Sequence, residues 1–537
     1  MKRILALILS LAMAVTMFAG CGSSASSSKA ITAVIGSEPK TLDPSLNNSL
    51  DGGTYINCAF EGLTTYGKDA TIVPGAAEKW EVSADGTVYT FHIQKNAQWS
   101  DGKDLTAADF VYSWRRTVDP KTAADYAYYL YFLKNGEAIN GGEGATDTLG
   151  VKAIDAKTLE VTLAAPCPFF TEIVAFPALV PLREDIVSAN SEKWSLDTKT
   201  YIGNGPYVLT SWEHDSKLTF EKNDKYWNKS TIKATKIEWF LMNDENAILG
   251  AFKNKQVTFA RGIPTDEYAA EKAAGTLQIL PQLGTYYLDL LNTKAPFDNP
   301  KVRRAVALAI DRNYIVEKVT KGGQTPASAY VPFGIADVKD TPDFRTTGGD
   351  FYSVKAADLE KNIAEAKALM AEAGYPDGKG FPKVTYGLNT GGNHQVIAEA
   401  IQQMLKKNLG IDMEIQAQEW NVFQQSRKDG VFNMDRNGWI GDYMDPSTFM
   451  DMFTSKNGQN NSKYNNPAYD KAISDARVAT DPAKRVQLYH DAEKLIMDDM
   501  GVVPIYFYTD PVEISKDLQN YVVTKLGFIY FNWASYK

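Results

Sequence analysis

The sequence predicts an α/β protein with mixed sheets, organised in two or three domains. Its 537 residues exceed what one hydrophobic core normally holds, so more than one domain is expected. A strand, a helix and a second strand follow one another within residues 383–416, which is typical of a parallel crossover unit. Alternating segments precede this unit and amphipathic helical segments surround it, so strands and helices are interspersed along the chain.

Five short segments in the first half of the chain have the composition of strands. Alternation of apolar and polar residues indicates half-buried strands in most of them, and the more apolar second segment suits a strand covered on both faces. The predicted strands are 31–35, 88–93, 159–163, 217–220 and 236–240.

Two helices are predicted from the spacing of apolar residues and from the residues at their ends. In 358–373 the apolar residues recur at helical intervals, and Gly374 followed by Pro376 marks the C-terminal end. Near the C-terminus, Asp481-Pro482 is typical of an N-cap with proline at the first helical position, and it opens a helix to about residue 500.

The crossover unit contains the clearest change of hydrophobic period. Residues 384–388 form the first predicted strand, 395–409 a helix with one apolar face, and 411–415 a second, alternating strand. Gly410 ends the helix. A connection this short between two such strands predicts a parallel, right-handed crossover.

The N-terminus has the three-part organisation of a signal peptide. A charged pair, Lys2-Arg3, precedes an apolar run over 4–18 that is shorter than the ~20 apolar residues of a membrane span. We therefore expect residues 1–20 to be a signal peptide.

The residues after the apolar run resemble a bacterial lipobox, in which the cysteine is acylated. The tetrad is Phe18-Ala19-Gly20-Cys21, whose first position is usually Leu in that motif. The expectation is that Cys21 carries lipid and that residues 21–28, rich in serine, form a tether. The alternative is an ordinary secretory signal followed by an incidental cysteine.

Composition argues against nucleic acid as a partner. The formal net charge is −9, and no basic block or stripe stands out. Apart from Cys21, the chain contains Cys58 and Cys167, which could form one disulfide or remain as two buried thiols. Two cysteines do not make a disulfide framework, so buried thiols are favoured.

Several local strings occur along the chain in a fixed order. They are SEPKTLDP at 37–44, FEGL at 60–63, WSDG at 99–102, LTAADFVYSW at 105–114, GNGPY at 203–207, NDKYW at 223–227, RRA at 303–305 and IDR at 310–312. In that order and spacing they resemble the peptide and nickel class of ABC-transporter substrate-binding proteins. QEW at 418–420 and GWIGDY at 438–443 narrow the resemblance to the oligopeptide-binding branch.

The resemblance implies a bilobed, periplasmic-binding-protein-like fold of three domains, with a hinge between the lobes. The implied boundaries are 29–68, 200–282 and 511–537 for a discontinuous first domain, 69–199 for an inserted second domain, and 283–510 for the third domain in the opposite lobe. Such proteins capture oligopeptides between the lobes and deliver them to an ABC importer made of permease and ATPase subunits. No cofactor is implied.

A zwitterionic peptide needs an anion for its ammonium group, cations for its carboxylate and backbone partners for its amides. Asp442 matches the family position whose carboxylate binds the amino terminus of the peptide. Neighbouring Gly438 and Gly441 allow close approach of a backbone. Without the resemblance, an aspartate that caps a turn is the commoner role.

Four residues match family positions that meet the peptide carboxylate directly or through water. They are Arg427, Arg436, His394 and Lys318. Arginine suits this role because its planar fork binds a carboxylate with two hydrogen bonds. Each residue could instead be an ordinary surface charge, and His394 could simply open the helix 395–409.

The resemblance also assigns walls to the binding site. Trp439 and Trp420 would wall the side-chain pockets, Tyr129 would lie on the opposing lobe, and Gly438 would offer its backbone to the peptide. Aromatic residues of this kind are more often core than ligand platform. Glu61 is assigned to a structural turn between domains.

The sequence gives no support for an enzyme or a metal site. Its four histidines are far apart, and motifs of zinc proteases, serine hydrolases and phosphate loops are missing. A glycoside hydrolase with a remote acid pair is a distant alternative. Closer rivals are a binder of nickel chelates, haem or oligosaccharides with the same fold, and a peptide-signal receptor. Asp442 with Arg436 favours a zwitterion over a sugar.

Together these expectations describe a solute-binding protein that acts as a monomer. It would be lipid-anchored on the extracytoplasmic face of the cell membrane, with peptide as ligand and importer subunits as partners.

Overall fold

The computed structural model describes residues 29–338 and 342–537 of the chain. The predicted signal peptide, Cys21 and the tether lie outside these residues. In the described part no helix is long and apolar enough to cross a membrane. Cys58 and Cys167 are both buried and unbonded to each other, so the structure has the free thiols that the composition favoured.

Strands and helices alternate along the whole described chain. The strands are β1 Ile31–Gly36, β2 Thr64–Tyr66, β3 Ile72–Pro74, β4 Ala77–Val82, β5 Val88–Ile93, β6 Val151–Ala153, β7 Thr158–Thr162, β8 Tyr207–Glu213, β9 Lys217–Lys222, β10 Lys236–Leu241, β11 Phe259–Arg261, β12 Leu277–Leu290, β13 Thr325–Pro326, β14 Val384–Asn389, β15 Met413–Gln418, β16 Met434–Ile440, β17 Val503–Ile514, β18 Leu518–Gln519, β19 Val522–Val523, β20 Ile529–Tyr530 and β21 Ser535–Tyr536. The α-helices are α1 Leu50–Ala59, α2 Ala107–Val118, α3 Gly136–Asn140, α4 Phe170–Ile173, α5 Glu184–Asn190, α6 Glu245–Lys253, α7 Tyr268–Ala274, α8 Pro300–Leu308, α9 Arg312–Tyr314, α10 Phe344–Gly348, α11 Leu359–Glu372, α12 His394–Leu409, α13 Trp420–Lys428, α14 Ser447–Met450, α15 Pro467–Val478 and α16 Pro482–Asp498. Two other helical turns matter below: the 3₁₀ helix Ala127–Phe132 and the π-helix Ile315–Thr320.

One large mixed sheet runs through the molecule. Its strand order is β15-β14-β16-β12-β17-β11-β1-β10-β9-β8, with β13 paired to β17. β1 is parallel to β10 and β11, and β14 is parallel to β15 and β16, whereas the remaining pairs are antiparallel. The prediction of an α/β fold with mixed sheets is confirmed.

The crossover unit predicted within residues 383–416 is present. β14 and β15 pair in parallel from Val384 opposite Met413 to Asn389 opposite Gln418, and α12 connects them. Gly410 ends α12 in the left-handed conformation at φ 72°, where a residue without a Cβ is favoured.

A separate antiparallel sheet, β4-β5-β7-β6, lies within the segment predicted as the inserted domain. α2 covers it, with Phe110 and Trp114 fully buried. The Trp114 indole N–H donates to the Leu179 carbonyl at 2.8 Å, so this large side chain is buried with its polar atom satisfied.

Two long central strands join the parts predicted to be separate lobes. β12 and β17 pair along most of their length, but the ladder is irregular between Pro281 and Thr285. The boundary predicted between residues 282 and 283 falls at this irregularity. The hydrogen-bonded ladder is weaker here, so we expect the two lobes to bend relative to each other at this point.

Candidate functional site

A cavity of about 450 Å³ lies between the segment predicted as the third domain and segments of the predicted first domain. One wall comes from β16, α13 and the loop before α12, and the other from the loop before α1, the start of α6 and the end of β11. Most residues predicted to contact the ligand line this cavity. They are Asp442, Arg427, Arg436, His394, Trp439, Trp420 and Gly438.

β16 contributes several residues to the cavity, and its side chains alternate between the two faces of the sheet. It is antiparallel to β12, with Gly438 opposite Tyr286. Successive side chains point to opposite faces. Arg436 and Gly438 therefore share one face, and Asn437 and Trp439 share the other.

Gly438 is required by a close side-chain approach. A Cβ at this position would collide with the hydroxyl oxygen of Tyr508 and would lie 3.1 Å from its Cζ. Because glycine has no Cβ, the backbone of β16 stays accessible at this point of the cavity.

Asp442 follows the end of β16 and is 8% exposed. Its backbone N–H donates to Thr448 Oγ1 at 2.9 Å, and its carboxylate accepts from the Tyr129 hydroxyl. Among residues 29–338 and 342–537, no cation lies within ion-pair distance of it. Burial raises the pKa of Asp442 to about 8, although the bond from Tyr129 opposes the rise. A cation entering the cavity would stabilise the ionised form.

Tyr129 lies behind Asp442 and does not form part of the cavity lining. It belongs to the 3₁₀ helix Ala127–Phe132, in the segment predicted as the inserted domain. Tyr126, just before this helix, lines the cavity instead, with its ring centroid 6.3 Å from that of Trp439. The sequence prediction missed Tyr126 because the run 126–132 is rich in aromatic residues and its spacing does not single one out.

Arg436 is held by neutral partners. Its Nε donates to Asn389 Oδ1 at 2.7 Å, and its guanidinium lies 5.5 Å from the Trp420 ring centroid and 5.6 Å from that of Phe423. Trp420 therefore lines the cavity and also stabilises the Arg436 cation through its ring face.

Arg427, on α13, is also held by amides. Its Nη1 donates to Asn437 Oδ1 at 2.6 Å, and its Nη2 donates to Gln424 Oε1. Burial lowers the pKa of Arg427, and it remains a cation at neutral pH. Within the described residues, neither Arg427 nor Arg436 has a carboxylate within 4.0 Å. Both can therefore bind an external anion.

His394 is the first residue of α12 and lies beside Arg436. Its ring stacks on Tyr286 with centroids 5.8 Å apart. Burial, and then the nearby Arg436 charge, lowers the pKa of His394 well below its ordinary value. The imidazole is therefore neutral at pH 7. One of its ring nitrogens donates a hydrogen bond and the other accepts one.

Lys318 is placed differently from the other predicted residues. It is exposed on the π-helix Ile315–Thr320 and does not line the cavity. That helix packs against α12, whose first residue is His394.

The wall from the predicted first domain carries charges that sequence reasoning missed. Arg261 pairs with Asp510 through two nitrogens, with its Nη2 2.5 Å from Asp510 Oδ2. Asp51 and Glu245 also line the cavity. These residues come from three distant segments of the chain, so only the fold reveals that they face one site.

Contacts between the predicted inserted domain and the third domain close the space beside the cavity. Asp125 accepts from Lys428 Nζ at 2.5 and 2.7 Å and from Asn48 at 2.7 Å. The Met444 backbone N–H donates to Glu172 Oε2 at 2.9 Å. The two parts of the chain are therefore in direct contact in this structure.

Glu61 has the structural setting that the sequence suggested. It is buried, and its carboxylate accepts from Tyr226 and, at 2.7 Å, from the Trp227 indole N–H. Burial raises the pKa of Glu61 to about 7, with both bonds opposing the rise. It does not line the cavity.

A ligand-sized cavity enclosed between two parts of one chain, joined by long strands, is the arrangement of a bilobed solute-binding protein. The chain belongs to the family described as bacterial extracellular solute-binding proteins, family 5 Middle, which matches residues 71–461. The resemblance to peptide-class substrate-binding proteins is thereby confirmed.

Individual relatives match over almost the whole chain. The oligopeptide-binding protein OppA of Bacillus subtilis (strain 168) is 36% identical over 545 residues, covering 99% of this chain and 98% of that protein. The structure of Haemophilus influenzae OppA in complex with RPPGFSPFR has 32% identity and a TM-score of 0.89, covering 95% and 99% of the two chains. The Escherichia coli murein tripeptide binding protein MppA has 34% identity and also a TM-score of 0.89, with the same coverage.

MppA has also been solved in an unliganded open form, in which the lobes are arranged differently. The open form matches with a TM-score of only 0.65, at 34% identity and with 95% and 98% coverage. Because the same protein matches at 0.89 in its other structure, the loss reflects the arrangement of the lobes. The lobes of the present structure are therefore arranged differently from the open form of MppA, in a closed arrangement.

Proposed function

We propose that this protein captures short peptides outside the cell and delivers them to an ABC importer. One observation carries the proposal. A single cavity contains a buried carboxylate, Asp442, without a cation, and two guanidiniums, Arg427 and Arg436, without a carboxylate, among the residues described. A zwitterion supplies both missing charges. The relatives named as oligopeptide-binding proteins support the same ligand class.

The spacing along β16 suits an extended peptide. From Arg436 to Ile440 the strand covers four residues, about 13 Å, and Asp442 lies two residues further. An extended peptide spans about 3.3–3.6 Å per residue. A chain of roughly three to five residues can therefore reach from the carboxylate of Asp442 to the guanidinium groups.

The peptide backbone would lie beside Gly438, where the strand is accessible. Backbone hydrogen bonds between a ligand and a strand are independent of the ligand side chains. This mode of binding allows many peptide sequences, and Trp439, Trp420 and Tyr126 then wall the spaces for side chains.

The role of Asp442 explains why a peptide favours the closed form. Closure buries this carboxylate against Tyr129, and an unpaired buried charge is unfavourable. The ammonium group of a peptide removes that penalty. Ligand binding therefore shifts the equilibrium between open and closed forms through its preference for the closed one.

The proposal includes no catalytic role and no cofactor for this chain. Its partners would be two permease subunits and two ATPase subunits, and the ATPase subunits would supply the energy for release. We propose that it acts as a monomer.

We also propose an anchor on the extracytoplasmic face of the cell membrane. The support is the signal-like N-terminus and the lipobox-like tetrad ending at Cys21. Mass spectrometry of the membrane fraction would test it. A diacylated Cys21 is expected, and an unmodified Cys21 on a secreted protein would contradict it.

Calorimetric titration of the fragment from residue 23 onward tests the ligand class. A mixed pool of tripeptides to pentapeptides is expected to bind with affinity in the micromolar range or tighter. Oligosaccharides, haem and a nickel chelate serve as comparison ligands. Binding of one of these with no heat from the peptide pool would contradict the proposal.

A further inference from the structure

Two aspartates lie side by side beneath the proposed carboxylate site. Asp289 on β12 and Asp435 on β16 are directly opposite each other in the antiparallel ladder, so their side chains are on the same face. Their residues are only 1% and 6% exposed. The ladder therefore holds two acidic groups together in a space with little access to water.

A hydrogen-bonded chain connects this pair to Arg427. The Arg427 guanidinium can only donate, so the Asn437 oxygen must face it, at 2.6 Å. The Asn437 Nδ2 therefore points the other way and donates to Asp289 Oδ2 at 2.7 Å. The charge on the aspartate pair acts on Arg427 through this amide.

One oxygen of each aspartate lacks a donor. Among the residues that the structure describes, Asp289 Oδ1 and Asp435 Oδ1 are both buried without a hydrogen-bond partner. Two neighbouring buried carboxylates are unfavourable when both are charged, and one proton bound by the pair relieves the repulsion.

Charged groups reach the pair from each neighbouring element. The cations are Arg427 on α13, Arg436 on β16 and Lys463 in the loop before α15. Burial raises the pKa of each nearby tyrosine, so these phenols are neutral: Tyr286, Tyr287, Tyr330 and Tyr386. Among the described residues, these cations are the charged groups outside the pair that shift the pKa values of the two aspartates.

We propose that Asp289 and Asp435 share one proton and are positioning residues that set the charge Arg427 presents to the peptide carboxylate. With one proton, the pair carries one negative charge and offsets Arg427. With two protons it is neutral, and Arg427 attracts the ligand carboxylate fully. The inference rests on the proposed peptide-binding function and adds a pH response to its carboxylate end.

The direction of the response follows from the proton balance. Binding of a peptide carboxylate next to Arg427 favours the protonated pair, so a proton moves from solvent to an aspartate oxygen on binding. Burial raises the pKa of Asp289 to about 6, and burial together with the neighbouring Asp289 charge raises the pKa of Asp435 well above its ordinary value. Preference for a free carboxylate over an amide should therefore decrease as pH rises through neutrality.

The test compares each peptide with its C-terminally amidated form between about pH 5 and pH 8. The ratio of the two dissociation constants removes effects at the amino end, including those of Asp442. His394 also faces the carboxylate site, so both proteins carry His394→Gln. One of them additionally carries Asp289→Asn and Asp435→Asn, which keep the shape of both side chains and leave neither of them able to titrate.

In the protein with Asp435 we expect the ratio to fall on the order of tenfold over this range, since one unit charge changes near Arg427. With both aspartates replaced by asparagine the ratio should be constant. A constant ratio with Asp435 present, or the same slope in both proteins, would overturn the inference. If the wild-type protein bound neither peptide form at any pH, the proposed function would fail instead, which is a distinct result.

Discussion

At the scale of single residues, two buried carboxylates in the third predicted domain differ in their partners. Glu493 accepts from Arg345 at 2.6 Å and from the Val331 backbone N–H at 2.8 Å, and both charged side chains are almost fully buried. Asp442 is also buried but has only a neutral hydroxyl donor. A buried carboxylate that is already paired serves the fold, whereas one that lines the cavity without a cation is suited to a ligand.

This difference predicts a stability effect at Arg345. Arg345→Met leaves the Glu493 carboxylate buried without its cation, which should lower the free energy of unfolding by about 3–5 kcal/mol. Urea unfolding followed by circular dichroism measures it. The exposed pair of Lys471 and Asp475 provides the control, and Lys471→Ala should change stability by less than about 1 kcal/mol. Equal losses in the two variants would contradict the assignment.

At the scale of elements, α13 contributes to both the cavity and the contact between lobes. Its face toward the cavity carries Trp420 and Arg427, and its last residue, Lys428, pairs with Asp125 of the predicted inserted domain. One helix therefore lines the proposed binding cavity and also joins two parts of the chain.

Removing this ion pair should weaken peptide binding without altering the cavity lining. Lys428→Met is expected to reduce affinity about fivefold, since a partly buried pair contributes about 1 kcal/mol to closure. The variant should also lose part of the salt dependence of binding. Lys406→Met removes the exposed pair with Asp412 within the same predicted domain and serves as the control. Unchanged affinity with Lys428→Met would show that the contact does not stabilise closure.

Helices and strands were predictable where apolar residues recur at one regular interval along a segment. The unit β14-α12-β15 was predicted because strand and helix periods follow each other within residues 383–416. The central strand β12 was not, because it is almost continuously buried in its second half and contains Pro281 and Gly284. Such a strand has no alternation to detect, and its partner β17 lies more than 200 positions away.

Residues of the site were predictable only through the resemblance. Asp442 stands in a string that resembles the family, and Arg436 matches a family position. Neither kind of match singled out Asp51, Glu245 or Arg261. These three face the same cavity because the chain returns to it from distant segments. The spacing of aromatic residues over 126–132 also did not distinguish Tyr126 from Tyr129. Tyr126 lines the cavity, whereas the Tyr129 hydroxyl donates to Asp442 from outside it.

At the scale of the whole molecule, the closed arrangement of the empty protein depends on Asp442. Burial raises the pKa of Asp442 to about 8 in the closed form. Opening separates it from Tyr129, which lies in the other part of the chain, and a hydrated carboxyl titrates near 3.9. Between about pH 4 and pH 8 the closed form therefore binds one more proton than the open form. Closure is favoured at low pH and loses stability as pH rises.

We expect the closed fraction of peptide-free protein to fall as pH rises from about 5 to 7.5, by up to about tenfold per unit. Small-angle X-ray scattering reports this change as an increase in the radius of gyration. Asp442→Asn should reduce the dependence strongly, because its amide does not titrate. Glu172, whose pKa burial raises at the contact with Met444, accounts for the remainder. The same pH dependence in the variant would assign the effect to other groups.

The central claim is that Asp442 binds the amino terminus of a peptide, and one set of affinities tests it most directly. The same tripeptide, free and N-acetylated, is titrated into the wild-type protein and into Asp442→Asn by calorimetry. We predict that acetylation weakens binding to the wild type by about 2–5 kcal/mol and has little further effect in the variant. If acetylation weakened binding equally in both proteins, the ammonium group would be bound elsewhere and the account of Asp442 would be wrong.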